Sequence, residues 1–196
     1  MSDTSPQKLV AARSDLMIGG ANEQEFRVPD SLDCSDRDSR ERGKQRPATI
    51  GLCMIVRNEV KVITRCLDSV RPVVDYVLIE DTGSTDGTQQ LIAEWLKRAN
   101  MPGLVIEEPW RDFAYNRSHV LAKLREVVGI DYALIIDADD HLVVDEGAGP
   151  AIFKAGMRED LYDVQIRHGG TWFYRPQLCA NRLSFCFKAV VPSSIG

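Results

Sequence analysis

The chain has 196 residues, 44% of them hydrophobic, and 24 Lys+Arg stand against 29 Asp+Glu for a formal charge of -5. That length suits one domain of ordinary size, or one domain with a tail, and a mildly acidic chain is not built to coat a polyanion, which excludes nucleic acid as the main partner. Five cysteines (Cys34, Cys53, Cys66, Cys179 and Cys186) include no CxxC pair, so neither a disulfide framework nor a zinc site is expected. A reducing, cytoplasmic setting follows. The N-terminus has no apolar signal region, and no segment is long and apolar enough to span a bilayer. Peripheral attachment to a membrane is compatible with this.

Residues 1–47 are polar, mixed in charge and without sustained periodicity. Such a stretch buries too little apolar surface to offset its ordering entropy, which predicts a flexible leader, with a partly helical arm packed on the domain as the alternative. The ordered domain is expected over residues 48–196. It opens on Ile50, Leu52, Met54, Ile55 and Val56 in a continuous apolar run, the mark of a strand buried on both faces. Asn58 is placed to cap a helix whose stripe is Ile63, Cys66, Leu67 and Val70, and Pro72 stops it. A strand over 76–79 follows. Asp86 or Thr88 then caps a helix facing inward through Leu91, Ile92, Trp95 and Leu96, closed by Pro102 and Gly103.

A short strand over 104–106 leads to a helix from about Asn116 to Val128, buried through Val120, Leu121, Leu124 and Val128. The next strand covers 132–136. Strands alternating with helices of this length imply a parallel, doubly wound sheet. Beyond it, residues 161–167 and 171–174 flank His168-Gly169-Gly170 and read as a β-hairpin, with one more strand near 183–187.

Two acidic turns follow two of the strands: Glu80-Asp81-Thr82-Gly83-Ser84-Thr85-Asp86-Gly87, and Asp137-Ala138-Asp139-Asp140. In open α/β sheets ligands bind outside the carboxyl ends of the strands. Asp137 and Asp139 can converge there on a hard cation that takes oxygen ligands and bridges to a phosphorylated molecule. A lone DxD is short and common, and taken alone it is more often a solvated acidic loop. Asp81 can accept a hydrogen bond from a base or ribose, Ser84 and Thr85 offer hydroxyls, and Asp86 caps the following helix. Arg117, at the start of its helix, can clamp phosphate, though a solvated arginine is the plainer alternative. His119, His141 and His168 have no ligand spacing and are given no role.

In order and spacing, Arg57-Asn58-Glu59 after the first strand, the DTGSTDGT turn, the Phe113 segment before Arg117 and the DADD turn resemble family 2 glycosyltransferases of the GT-A fold. The resemblance spans about residues 50–140. It implies an α/β, mainly parallel sheet flanked by helices, and an inverting, Mn2+- or Mg2+-assisted transfer of sugar from a nucleoside diphosphate donor. The acceptor, whether glycan, lipid-linked molecule or protein, is not specified. By position, Asn58, Glu59 and Ser84 belong to the donor site, Asp81 contacts the base, Asp137 the ribose side, Asp139 the metal and diphosphate, and Arg117 the donor.

The resemblance fades towards the end of the chain. A general base is expected after the Phe-rich strand, but Phe187-Lys188-Ala189-Val190-Val191-Pro192-Ser193-Ser194 supplies none. Asp145, Glu146, Glu159, Asp160 and Asp163 are the carboxylates between the second acidic turn and that stretch. The expectation is a truncated acceptor half, with Phe185 and Phe187 lacking partners, marginal solubility and weak transfer. Two alternatives stand: a nucleotide-sugar-binding remnant without turnover, and an ATP-binding domain of the actin/hexokinase type suggested by Asp81-Thr82-Gly83-Ser84-Thr85. The second is disfavoured because a helix-period segment follows that loop at once.

Overall fold

The computed structural model describes residues 9–13, 25–27, 46–144, 149–168 and 170–188. In chain order its elements are β1 (Leu9–Arg13), β2 (Glu25–Arg27), β3 (Ile50–Val56), α1 (Ile63–Val70), β4 (Tyr76–Asp81), α2 (Thr88–Ala99) and β5 (Gly103–Glu107). There follow α3 (Phe113–Arg125), β6 (Tyr132–Ile135), β7 (Asp140–Val144), α4 (Pro150–Gly156), β8 (Leu161–His168), β9 (Thr171–Ala180) and β10 (Cys186–Lys188). One sheet runs in the order β5-β4-β3-β6-β9-β8-β1-β7, and β10 pairs with β2 in a second. The strands β5, β4, β3 and β6 are mutually parallel. This is the α/β, helix-flanked architecture expected of a GT-A domain, and the 161–174 hairpin is present as β8 and β9. β9 also pairs antiparallel with β6, which joins the hairpin to the parallel sheet.

The continuous apolar run of β3 is explained by burial on both faces. Leu52, Met54 and Val56 pack with Ile63, Leu67 and Val70 of α1 and Ile92 and Trp95 of α2. Cys53 faces the other way, against Val120, Leu121 and Leu124 of α3. Successive strand residues point to opposite faces, so one unbroken run serves two cores. Burial raises the Cys53 thiol well above its ordinary value, with Cys179 and Glu80 adding to the shift, so it serves as a small core residue. β3 lies between β4 and β6, the point where strand order reverses, and its carboxyl end opens the crevice where an α/β sheet binds ligands.

Several local expectations are corrected. Val62, not Asn58, stands at the N-cap of α1 and makes no side-chain cap bond, while Asn58 adopts a positive φ of 58° and turns towards the first acidic turn. The helix expected from Asn116 starts at Phe113, because the Asp112 carboxylate accepts from the Tyr115 amide at 2.7 Å and fixes the first turn there. Val128 lies beyond α3 and is 97% exposed. Phe185 and Phe187 do have partners: Phe185 is buried in the cluster of Cys53, Leu78 and Leu121, and Phe187 packs against that cluster. Much of the 1–47 leader, and Ala189 onwards, lie outside the described residues. Two short strands, β1 and β2, fall within 1–47.

Candidate functional site

The first acidic turn follows β4. Asp81 is buried at the strand end, and its Oδ1 accepts from the backbone amides of Gly83 at 2.9 Å and Ser84 at 2.7 Å. Its Oδ2 is buried and has no hydrogen-bond partner of standard geometry among the described residues. Burial pushes the Asp81 carboxyl up, but hydrogen bonds from Ser84, Gln89 and Gly83 outweigh it and hold the group below its ordinary value. Gly83 and Gly87 have φ of 108° and 93°, a left-handed region that side chains with a Cβ avoid, and this is why glycine closes both ends of the turn. Gly87, not Asp86 or Thr88, stands at the N-cap of α2 and supplies no side-chain cap bond, while the Asp86 carboxylate just before it accepts from the Thr88 amide at 3.0 Å.

The tip of β3 is stitched to this turn. Asn58 donates its amide to Ser84 Oγ at 2.8 Å and accepts from the Thr85 amide through Oδ1 at 2.8 Å. Glu59 donates its amide to Thr88 Oγ1 at 2.9 Å, and Val60 donates to Asp86 Oδ2 at 3.2 Å. The Glu59 carboxyl is raised above its ordinary value by burial first, then by Asp139, Asp86 and Asp137. One carboxylate therefore senses both acidic turns.

The second turn follows β6. Asp140 donates its amide to Asp137 O at 3.1 Å, closing a tight turn, and its buried carboxylate accepts from the Asp137 amide at 3.3 Å. Oxygen atoms of Asp137, Asp139 and Asp140 lie within 4.8 Å of one another, a donor set of hard carboxylate oxygens that fits Mg2+ or Mn2+. Asp140 joins Asp137 and Asp139 as a third residue that could hold a cation; it stands beside them in the DADD string, but its inward aim depends on the turn. Arg65 donates to Asp139 O at 2.7 Å. Arg117 crosses from α3 to place Nη2 2.5 Å from Asp137 Oδ1, with both side chains largely buried. Its guanidinium lies 5.6 Å from the Phe113 ring centre and 5.7 Å from that of Phe187.

A polar cluster that the sequence did not suggest lies beside Arg117. Glu80 is fully buried, and Asn116 Nδ2 donates to its Oε1 at 2.7 Å while His119 Nδ1 meets its Oε2 at 2.6 Å. His119, given no role above, thus holds a buried carboxylate and stacks on Tyr115 with ring centres 5.9 Å apart. The available signal was the acid at position 80, at the inner face of a strand otherwise made of core residues. Such a group demands partners. Asn58, Glu59, Asp81 and Ser84 gather around the first turn and the tip of β3, and Asp137, Asp139 and Arg117 around the second.

The Glycosyl transferase family 2 model matches residues 52–146, a stretch that runs from β3 through both acidic turns. Over this segment the chain is similar to glycosyltransferase family 2. A TPR repeat-containing protein of Synechococcus elongatus is 33% identical over 99 residues, 50% of this chain and 22% of that protein. The lipopolysaccharide core biosynthesis glycosyltransferase LpsC of Rhizobium meliloti is 30% identical over 89 residues, 45% of this chain and 31% of LpsC. Among solved structures, the mannosyltransferase PcManGT of Pyrobaculum calidifontis, in complex with GDP-Man and Mn2+, is 25% identical with a TM-score of 0.41, over 49% of this chain and 28% of that one. The chain spans less than a third of the length of each of these relatives.

Proposed function

We propose that this chain binds a nucleotide-sugar donor through a divalent cation and transfers the sugar, with inversion, to a hydroxyl of a glycan, a lipid-linked molecule or a protein. One observation carries the reading: three carboxylates at the end of β6 share a space of 4.8 Å, and the Arg117 guanidinium rests on the first of them. Carboxylates so close repel one another unless a cation sits among them, and an arginine beside them is matched to phosphate oxygens. Asp137, Asp139 and Asp140 would hold Mn2+ or Mg2+, which when bound neutralises charge on a leaving diphosphate. Asp81 offers its unpartnered Oδ2 to the donor base, Asp137 serves the ribose side, and Arg117 serves the diphosphate. Asn58, Glu59 and Ser84 hold the floor between the two turns.

The name of LpsC, a lipopolysaccharide core biosynthesis glycosyltransferase, supports a lipid-linked glycan among the acceptors. A cytoplasmic location, free or at a membrane surface, belongs to the same proposal. Two features support it: among the described residues no helix is long and apolar enough to cross a membrane, and Cys53, Cys66, Cys179 and Cys186 are free thiols. Calorimetry with UDP and GDP, with and without Mn2+, tests the reading, and tight binding that needs the metal is the expected result. Binding that ignores the metal would refute it. A panel of nucleotide sugars screened by metal-dependent thermal shift then identifies the donor, and a transfer assay separates turnover from donor binding alone.

A further inference from the structure

Glu80 is a poor choice for a strand interior unless it does something. It is 0% exposed, between Ile55 of β3 and Ile106 of β5, where an aliphatic side chain would serve the core without a charge to desolvate. Both of its oxygens are satisfied by α3 alone, Oε1 by Asn116 and Oε2 by His119. Those residues lie three apart on one helix face, and Arg117 falls between them. A single bond would let the helix pivot, whereas two bonds from adjacent turns fix both its rotation and its slide along β4. The other bonds at the helix start, from Asp112 to the Tyr115 amide, from Tyr115 to Glu108, and between Asn116 and both Pro109 O and the Arg111 amide, reach only the segment that leads into the helix, whereas Glu80 lies in β4.

We infer that Glu80 is a positioning residue that sets the rotation of α3 and so aims Arg117 at the donor diphosphate. This rests on the reading of Arg117 given under Proposed function. The distance from the buried pin to the working group is one residue, so a small turn of the helix is carried straight to the guanidinium. Arg117 must reach the end of β6, where it now meets Asp137 at 2.5 Å, and displacement of a positioned group by about 1 Å is enough to cost on the order of 100-fold in function. Glutamine at this position keeps the shape and offers one acceptor to Asn116 and one donor to His119.

The experiment measures binding of UDP and GDP in Mn2+ to the 196-residue chain, with uridine and guanosine as probes that lack phosphate. Arg117→Ala is expected to weaken diphosphate binding by roughly tenfold or more and to leave nucleoside binding unchanged. Glu80→Ala and the partly exposed His119→Ala should show the same selective loss, while Glu80→Gln stays within about twofold of the unsubstituted chain. In an Arg117→Ala background, Glu80→Ala and His119→Ala should cause no further loss, whatever they do to thermal stability. If the losses add, or if nucleoside binding falls equally, the pin is merely structural and the inference is overturned. Unchanged diphosphate binding by Arg117→Ala would overturn the donor reading and the positioning role together. Should Glu80→Ala fail to fold, His119→Ala carries the same decision.

Discussion

The two acidic turns look alike in sequence and differ in where their hydrogen bonds go. In the first, Asp81 and Asp86 spend their oxygens on backbone amides of Gly83, Ser84, Thr88 and Val60. That turn is largely self-contained, and only Asp81 Oδ2 is left over. In the second, Asp137, Asp139 and Asp140 converge on one another within 4.8 Å. A carboxylate satisfied by amides stabilises the fold, whereas the mutual repulsion of gathered carboxylates is relieved by positive charge, here in part by Arg117, whose Nη2 meets Asp137 Oδ1. Convergence of carboxylates distinguishes the second turn, the proposed ligand turn, from the first, and Asp140 also accepts from a backbone amide of its own turn, that of Asp137.

The sharpest way to break this contrast is Asp139→Ala. Cation-dependent affinity for UDP or GDP should fall by about 3 kcal/mol, the scale for removing one member of a close charge interaction. Thermal stability without added cation should hold or rise, because one repelling charge is gone. A loss of metal-free stability would place the second turn in the scaffold class. Asp81→Asn comes next. It retains the shape but alters the hydrogen-bonding inventory, and nucleotide affinity should drop by ~1–3 kcal/mol in calorimetry. Equal binding of all nucleotides before and after the change would make Asp81 purely structural.

A pH titration probes the same difference with opposite signs. The Asp81 carboxyl is depressed, so its contribution to stability is present above the unfolded value of about 3.9 and is lost as pH falls through the lower folded value. The Glu59 carboxyl is raised, so its contribution is full below about 4.3 and is lost as pH rises through the higher folded value. Melting curves across that range with and without Mn2+ should show the metal's stabilisation growing as pH rises, and Glu59→Gln should flatten the trend. The smallest effect is expected from Asp86→Ala. It should lower the melting temperature modestly through the lost bonds to the Thr88 and Val60 amides, with no change in the metal dependence of binding.

Much of the parallel half was legible in the sequence, because its strands are short apolar runs and its helices carry a clear stripe. Residues 49–56 reveal burial on both faces without any knowledge of what covers them. The start of α3 was not legible: Phe113 is 40% exposed, so apolar periodicity misses the first turn that Asp112 caps. Val128 fits the helical spacing, but α3 ends at Arg125, and spacing alone does not report where a helix stops. The candidate site was half legible. Asp81, Arg117, Asp137 and Asp139 stand in recognisable strings, whereas the bond between Arg117 and Asp137 joins residues twenty apart and depends on how α3 lies on the sheet. Glu80 stood out only as an acid among core residues, and its partners Asn116 and His119 were invisible, since their meaning lies in a contact between a strand and a helix.

β3 also acts as a ruler. It pairs with β4 on one side and β6 on the other, so the strands that carry the two acidic turns are separated by a single intervening strand. Neighbouring strands lie about 4.8 Å apart, which sets the gap between the two turns at roughly 10 Å. Sheet hydrogen bonding fixes that interval, and no side-chain change on the surface alters it. A molecule that engages the backbone of both turns must span that interval, the length demanded of the proposed nucleoside diphosphate donor.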